Sequence, residues 1–255
     1  MTKAKIFGTQ SKSLNKILLG GFRGGEITCI ASRVAVGKSW FLINLFHYFM
    51  KRKQDPILIS LDLPIESIWK RLIMIESKIP YMEYIRSLQT GRGRIKWEQA
   101  SERLSTYNPR IQYRANSFTS IPAYLKGGSS EKPAPIIFID GLMFPKTREA
   151  KKFYEGELRK IRSVLEGQNV SLIMSLGLGR AFAKDQKIDL AKIEAKVSSD
   201  YFNKLIVLQS ENKIAADSLR KIDCLLIDLT TKKTKKTTFP IFIDDRIGII
   251  YDKTK

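Results

Sequence analysis

Residues 26–39 read Glu-Ile-Thr-Cys-Ile-Ala-Ser-Arg-Val-Ala-Val-Gly-Lys-Ser. An apolar β-type run, Ile27 to Ala31, enters a short turn that closes on Gly37-Lys38-Ser39, and a helical pattern of Trp40, Phe41, Leu42, Leu45, Phe46 and Phe49 follows. Strand, loop and helix in this order make a phosphate-binding loop. The chemistry accounts for the residue types. Backbone N–H groups at a helix N-terminus cradle phosphate oxygens, the Lys38 ammonium reaches the β- and γ-oxygens of ATP or another nucleoside triphosphate, and the Ser39 hydroxyl ligates Mg²⁺. The residues that would wrap the nucleotide are Ser32, Arg33, Val34, Ala35, Val36, Gly37, Lys38, Ser39 and Trp40. Ser32 stands where G-x-x-x-x-G-K-[ST] has its first glycine. A Gly-Lys-Ser tripeptide alone is a common chance match; its place between a buried-type strand and a helix gives it weight.

Outward from the loop, strands and helices alternate. Asp55-Pro56 makes a turn, Ile57 to Leu61 forms a second apolar strand ending on Asp62, and a helix is expected over Ile65 to Ser77. A short helix near Tyr81 to Leu88, a basic glycine-broken loop over Thr90 to Arg94, a helix over Lys96 to Ser105 and a strand over Arg110 to Arg114 come next. After the Gly/Ser/Pro stretch 127–135, the run Ile136-Ile137-Phe138-Ile139-Asp140 reads in two ways. It is a core strand with a turn-initiating aspartate, or a strand whose terminal carboxylate reaches the Mg²⁺ shell beside the loop serine; its order after the phosphate loop favours the second. Tyr154, Leu158, Ile161 and Leu165 recur at helical spacing before Gly167, and Val170 to Ser175 is again a strand. Leu205 to Leu208, Cys224 to Leu229, Phe239 to Ile243 and Ile247 to Tyr251 complete the strands, with a hairpin-like basic tongue over Thr230 to Thr238. The alternation predicts an α/β fold with a mostly parallel sheet. Residues 1–25 read as an entry segment, and 26–255 as one domain with neither internal repeat nor dividing linker.

Composition sets bounds on function. Lys and Arg total 45 against 25 Asp and Glu, a formal net charge of +20. Such a field favours a polyanion, nucleic acid before anionic membrane, against the plain alternative of a lysine-rich solvated surface. No run approaches the ~18 apolar residues of a membrane span, and Met1 to Lys5 lacks a signal-peptide apolar region, so a soluble, cytoplasmic protein without membrane partners is expected. Cys29 and Cys224 fall inside expected core strands as small hydrophobes. His47 is the single histidine, which excludes a histidine-built metal site and a Ser-His-Asp triad.

The order of these signals resembles the C-terminal RecA-like ATPase domain of DnaB-type replicative helicases, including phage-encoded members. Leu14 to Glu26 resembles the family's lead-in; Ala31 to Ser39 has its loop spacing, with a small residue in place of the first glycine. Ser60-Leu61-Asp62-Leu63 looks like Ser-Leu-Glu-Met, and Arg71-Leu72 falls where the next helix carries Arg-Leu. Leu88 to Gly91, Trp97 and Leu104 follow the family's Thr-Gly and tryptophan pattern. Asp140-Gly141-Leu142 matches Asp-Tyr-Leu, and Ser175 to Arg180 sits at Ser-Gln-Leu-Asn-Arg. The resemblance implies a RecA-like core with a C-terminal antiparallel hairpin extension. It implies Lys38 and Ser39 on phosphate and Mg²⁺, Asp140 supporting the metal, and Asp62 polarising the attacking water from the tip of a strand beside the phosphate loop. It further implies a hexameric ring translocating on single-stranded DNA, with primase or a helicase loader as partners, and basic residues from Arg180 onward (Lys184, Lys187, Lys192, Lys196) along the channel.

Departures from the pattern temper the expected activity. Asp62 is one methylene shorter than the usual glutamate, Gly177 replaces a glutamine that senses the γ-phosphate, and a Lys-x-Arg finger is replaced at best by Lys232 and Lys233, a cluster that more often forms a solvated hairpin tip. The N-terminal domain that binds primase is not expected. The leading reading is a DNA-stimulated helicase or translocase motor. Its alternatives are a slowly hydrolysing ATP- and DNA-binding accessory subunit and a RecA- or RadA-like recombinase. Arg92 and Arg94 fit either a phosphate or a neighbouring subunit. Replacing Lys184 and Lys187 with Ala is expected to weaken DNA binding and to flatten its salt dependence in a titration against ionic strength.

Overall fold

The computed structural model describes residues 4–88, 91–114, 120–125, 134–143, 147–178, 201–210, 219–230 and 235–252. The chain order is β1 (Ile6–Phe7), α1 (Lys12–Ile17), β2 (Phe22–Arg23), β3 (Ile27–Ser32), α2 (Lys38–Lys51), β4 (Ile57–Ser60), α3 (Ile65–Ser77), α4 (Tyr81–Ser87), α5 (Arg92–Thr106) and β5 (Arg110–Tyr113). It continues with α6 (Ser120–Leu125), β6 (Ile136–Met143), α7 (Arg148–Leu165), β7 (Ser171–Gly177), β8 (Lys204–Gln209), β9 (Leu219–Asp228), β10 (Lys235–Asp244) and β11 (Ile250–Tyr251).

The main sheet has nine strands in the order β11-β10-β9-β8-β3-β7-β6-β4-β5. From β8 to β5 every pairing is parallel, and β9, β10 and β11 add antiparallel strands at the other end. The expected mostly parallel sheet with a C-terminal antiparallel hairpin is therefore what forms. Parallel strands covered on both faces must be apolar on both, and all of β3, β4 and β7 is buried. Along β3, Ile30 faces a core shared with α1, α2, α3 and α5, whereas Ile27, Cys29 and Ala31 face a second core under α6 and α7. The two cysteines are buried and free. Phe7, Leu14, Leu18 and Phe22 from the first 25 residues belong to the first core.

The sheet order corrects one expectation. The strand carrying Asp62 does not lie beside the phosphate-loop strand, because β7 and β6 come between β3 and β4. Two other boundaries also move. Residues Arg92–Arg94 are the first turn of α5, not a loop. Gly93 allows it: a Cβ there would lie 2.1 Å from Ser87 Oγ, so the glycine is a close-approach point between α4 and α5. Arg94 pairs with Glu98 at 3.4 Å on the exposed face of the helix. Four of the nine tongue residues are strand, with Lys235 to Thr238 in register with Asp228 to Leu225.

Helix α2 is buried almost all round, as a helix at the centre of the fold must be. Its C-terminal half is tied to α3 and α5 through Glu76, whose carboxylate accepts from His47 Nε2 (2.8 Å), Lys51 Nζ (3.3 Å) and Arg103 Nε (3.0 Å). Burial alone pushes the Glu76 carboxyl up, but these three donors outweigh it and hold it below the ordinary value; burial pulls His47 down, against the opposing pull of Glu76. Both groups bind protons less readily folded than unfolded. Their contribution is complete above the unfolded histidine value of 6.5 and is lost as pH falls, first through His47 and then, below 4.5, through Glu76. Glu76→Gln is expected to cost about 2 kcal/mol at pH 7, a melting temperature lower by roughly 4–8 °C. Melts across pH should show that deficit shrinking in the acid range, where the wild-type carboxyl is itself protonated.

Candidate functional site

Strand β3 ends at Ser32, and the chain turns through Arg33 to Gly37 into α2. Ala35 adopts a left-handed backbone (φ 65°), and Gly37, the residue before the helix, has φ 116°. No side chain caps the first turn of α2. Its amides are thus free to serve an anion, and the helix dipole favours one there. The Lys38 ammonium lies back over the loop, donating to Ser32 O (3.5 Å), Ser32 Oγ (3.3 Å) and Arg33 O (3.3 Å). Burial draws its pKa down, and the carboxylates of Asp140 and Asp62 oppose that. All three side chains therefore share one electrostatic neighbourhood.

Asp140 is buried at position five of β6, and Ser175 on the intervening β7 fixes it: Ser175 Oγ donates to Asp140 Oδ1 at 2.6 Å and accepts from Gly141 N at 2.9 Å. Asp62 reaches the same place although its strand is further out. Leu61 N donates to Asp140 O at 2.8 Å, pinning the end of β4 to β6 at Asp140. Gly141 makes the approach possible; its φ is 100°, and a Cβ there would stand 2.6 Å from Asp62 Cβ. The register shift between Ile139 and Leu142 falls at this glycine.

Three residues complete the surroundings that the sequence did not assign to the site. Arg71, on α3, places its guanidinium carbon 4.9 Å from the Trp40 ring centre and also faces Asp140 and Asp62, which counter the lowering of its pKa by burial. The Trp40 ring is further packed against Gly248, where a Cβ would lie 2.0 Å from a ring carbon. Ser175 is the second, and Arg220 at the start of β9 the third; Arg220 Nη1 donates to Ala35 O and Val36 O, both at 3.3 Å. Their signal in the sequence is weak, because each meets its partner across tens to hundreds of residues.

At Gly177 a Cβ would meet Met143 Sδ at 2.6 Å. The place of the expected glutamine is occupied by methionine from the neighbouring strand. Arg180, Lys184, Lys187, Lys192, Lys196, Lys232 and Lys233 lie outside the described residues. Among the described residues, no group of three or more His, Cys, Asp and Glu is placed to hold a metal by itself. The donors present, one hydroxyl at Ser39 and one carboxylate at Asp140, suit Mg²⁺, which takes one or two protein ligands and completes its shell with phosphate oxygens and water. A separate cleft of about 710 Å³, lined by residues including Ser11, Lys12, His47, Glu76 and Asp252, opens along the C-terminal half of α2. No helix among the described residues is long and apolar enough to cross a membrane.

A phosphate loop on a central parallel strand, with acidic residues converging from β6 and β4, defines a RecA-like P-loop fold. The DnaB-like helicase C terminal domain model matches residues 7–187, and the chain belongs to that family. Two solved structures share the fold. One, described as an ATPase domain, is 17% identical with a TM-score of 0.75, over 99% of this chain and 94% of that one. The other, a DnaB-like replicative helicase described with its interactions with primase, is 14% identical with a TM-score of 0.76; 98% of this chain is covered, and it spans 64% of that protein. No curated protein matches the sequence.

Proposed function

We propose that the chain is an ATP-hydrolysing motor of the replicative helicase type, which binds ATP with Mg²⁺, assembles as a ring, a hexamer by family resemblance, and moves on single-stranded DNA. The observation that carries this reading is the convergence of Lys38, Asp140 and Asp62 on the mouth of the phosphate loop. Ser39 and Asp140 would hold Mg²⁺, whose positive charge would offset the negative charge that develops in phosphoryl transfer. The chain's own residues do the remainder. The loop amides and Lys38 orient the triphosphate, Ser39 and Asp140 hold the cation, Ser175 keeps Asp140 in one rotamer, and Asp62 orients and deprotonates water. The net charge of +20 suits a polyanionic track. We assign the motor to residues 26–255, with 1–25 as an entry segment whose Phe7, Leu14, Leu18 and Phe22 join its core, and primase or a loader as partners.

A second reading, an accessory subunit that binds ATP and DNA but hydrolyses slowly, is favoured by the short Asp62 and by Met143 in the space at Gly177. ATP turnover with and without single-stranded DNA separates the two. Strong stimulation supports the motor, and tight binding without turnover supports the accessory role. Particle images with a non-hydrolysable ATP analogue and DNA test the ring; filaments would point to a recombinase.

A further inference from the structure

The phosphate loop is braced from outside by the C-terminal hairpin. Ile222 of β9 and Ile243 of β10 reach to within 3.6 and 3.5 Å of where a Gly37 Cβ would sit, so the two strands form a wall behind the loop. From that wall Arg220 divides its guanidinium. Nε and Nη2 grip Asp245, in the turn after β10, with contacts of 2.9 Å from Nε to Oδ2 and 2.8 Å from Nη2 to Oδ1. Nη1 is left to donate to the loop carbonyls of Ala35 and Val36. The Arg220 side chain is 14% exposed and Asp245 29%, so the arginine is largely covered while its carboxylate anchor stays open to solvent.

The geometry of the amide gives this contact a consequence. No peptide bond in the described chain is cis, and across a trans peptide the C=O and N–H point in opposite directions. Carbonyls of Ala35 and Val36 turned outward to Arg220 therefore turn the N–H groups of Val36 and Gly37 the other way, into the cradle. The loop needs such a constraint, because Ala35 is held at φ 65°, where a residue with a side chain is strained.

We propose that Arg220, anchored by Asp245, is a positioning residue that holds the Ala35 and Val36 carbonyls outward and so aims the Val36 and Gly37 amides at bound phosphate. The proposal rests on the nucleotide reading above. Lysine cannot replace arginine here, because a single ammonium lacks the fork that serves a carboxylate and two carbonyls together.

The test measures binding of a fluorescent ADP analogue with Mg²⁺, beside melting temperature, in wild type, Lys38→Ala, Arg220→Met, Arg220→Lys and Asp245→Asn. Expected are an about tenfold weaker dissociation constant for both Arg220 variants and a smaller loss for Asp245→Asn, with binding measured well below each melting temperature. If wild type does not bind the probe, or Lys38→Ala binds it as well, the nucleotide reading fails and this proposal with it. If wild type binds, Lys38→Ala does not, and Arg220→Met binds as wild type does, the Arg220 proposal alone is overturned. It is equally overturned if Arg220→Lys restores both affinity and melting temperature, since a simple ion pair would then suffice.

Discussion

Lys38→Ala is expected to weaken ATP binding by about 10²- to 10³-fold and to remove turnover with it, while the melting temperature stays within a few degrees of wild type. The two halves of this expectation have separate causes. Toward the ligand, Lys38 is the cation at the mouth of the loop that is placed to compensate phosphate charge, and charge-assisted bonds of this kind are the strong ones. Toward the fold, it contributes little, because its ammonium is substantially desolvated and is satisfied by two carbonyls and a hydroxyl rather than by a direct ion pair. Truncation removes both the bonds and the desolvation cost. A binding titration, a coupled turnover assay and a melt on the same preparation check it. Unchanged nucleotide affinity would remove the basis for the motor.

The second large effect concerns the chemical step. Asp62→Asn should lower turnover by about 10²-fold or more with ATP affinity within roughly threefold, since a group that acts on water contributes to the transition state and little to ground-state binding. Asp62→Glu makes the sharper experiment. The carboxylate of Asp62 starts from a backbone pinned to β6 by the Leu61–Asp140 bond, so it cannot advance as a whole, and one added methylene is the available way to extend its reach. Higher turnover in Asp62→Glu would identify side-chain length as the brake on a working motor. Unchanged slow turnover in both variants would favour the accessory reading.

Much of this arrangement was legible in the sequence, and what was not has identifiable physical reasons. Helix α3 falls on Ile65–Ser77 as read, because its apolar spacing and flanking turns agree. The phosphate loop was readable for the same reason: strand, glycine and helix are contiguous. Strand β6 runs three residues beyond Asp140, where the sequence reading ends it, to Met143, since Gly141 supplies the local kink that lets pairing resume with β7. Gly93 misled in the opposite way. A glycine between two arginines looks like a loop, yet it serves a helix contact that only the fold reveals. The supporting side chains were hidden by distance along the chain. Arg220 meets Ala35 across 185 positions and Ser175 meets Asp140 across 35, and no local periodicity reports such encounters. The order β3-β7-β6-β4 was likewise beyond reach, because alternation of strands and helices does not state which strands become neighbours.

The side chain of Asn44, midway along α2, donates to Gly248 O at 2.7 Å and accepts from Ile250 N at 3.2 Å. Its partners are thus translated some 204 residues after it. During synthesis on the ribosome, the loop before α2 emerges ahead of residues 220–250 and receives its rear support only when these have left the exit tunnel. On the nucleotide reading proposed above, nascent chains that expose the loop before residues 220–250 have emerged should capture nucleotide more weakly than chains in which both are free to pack together.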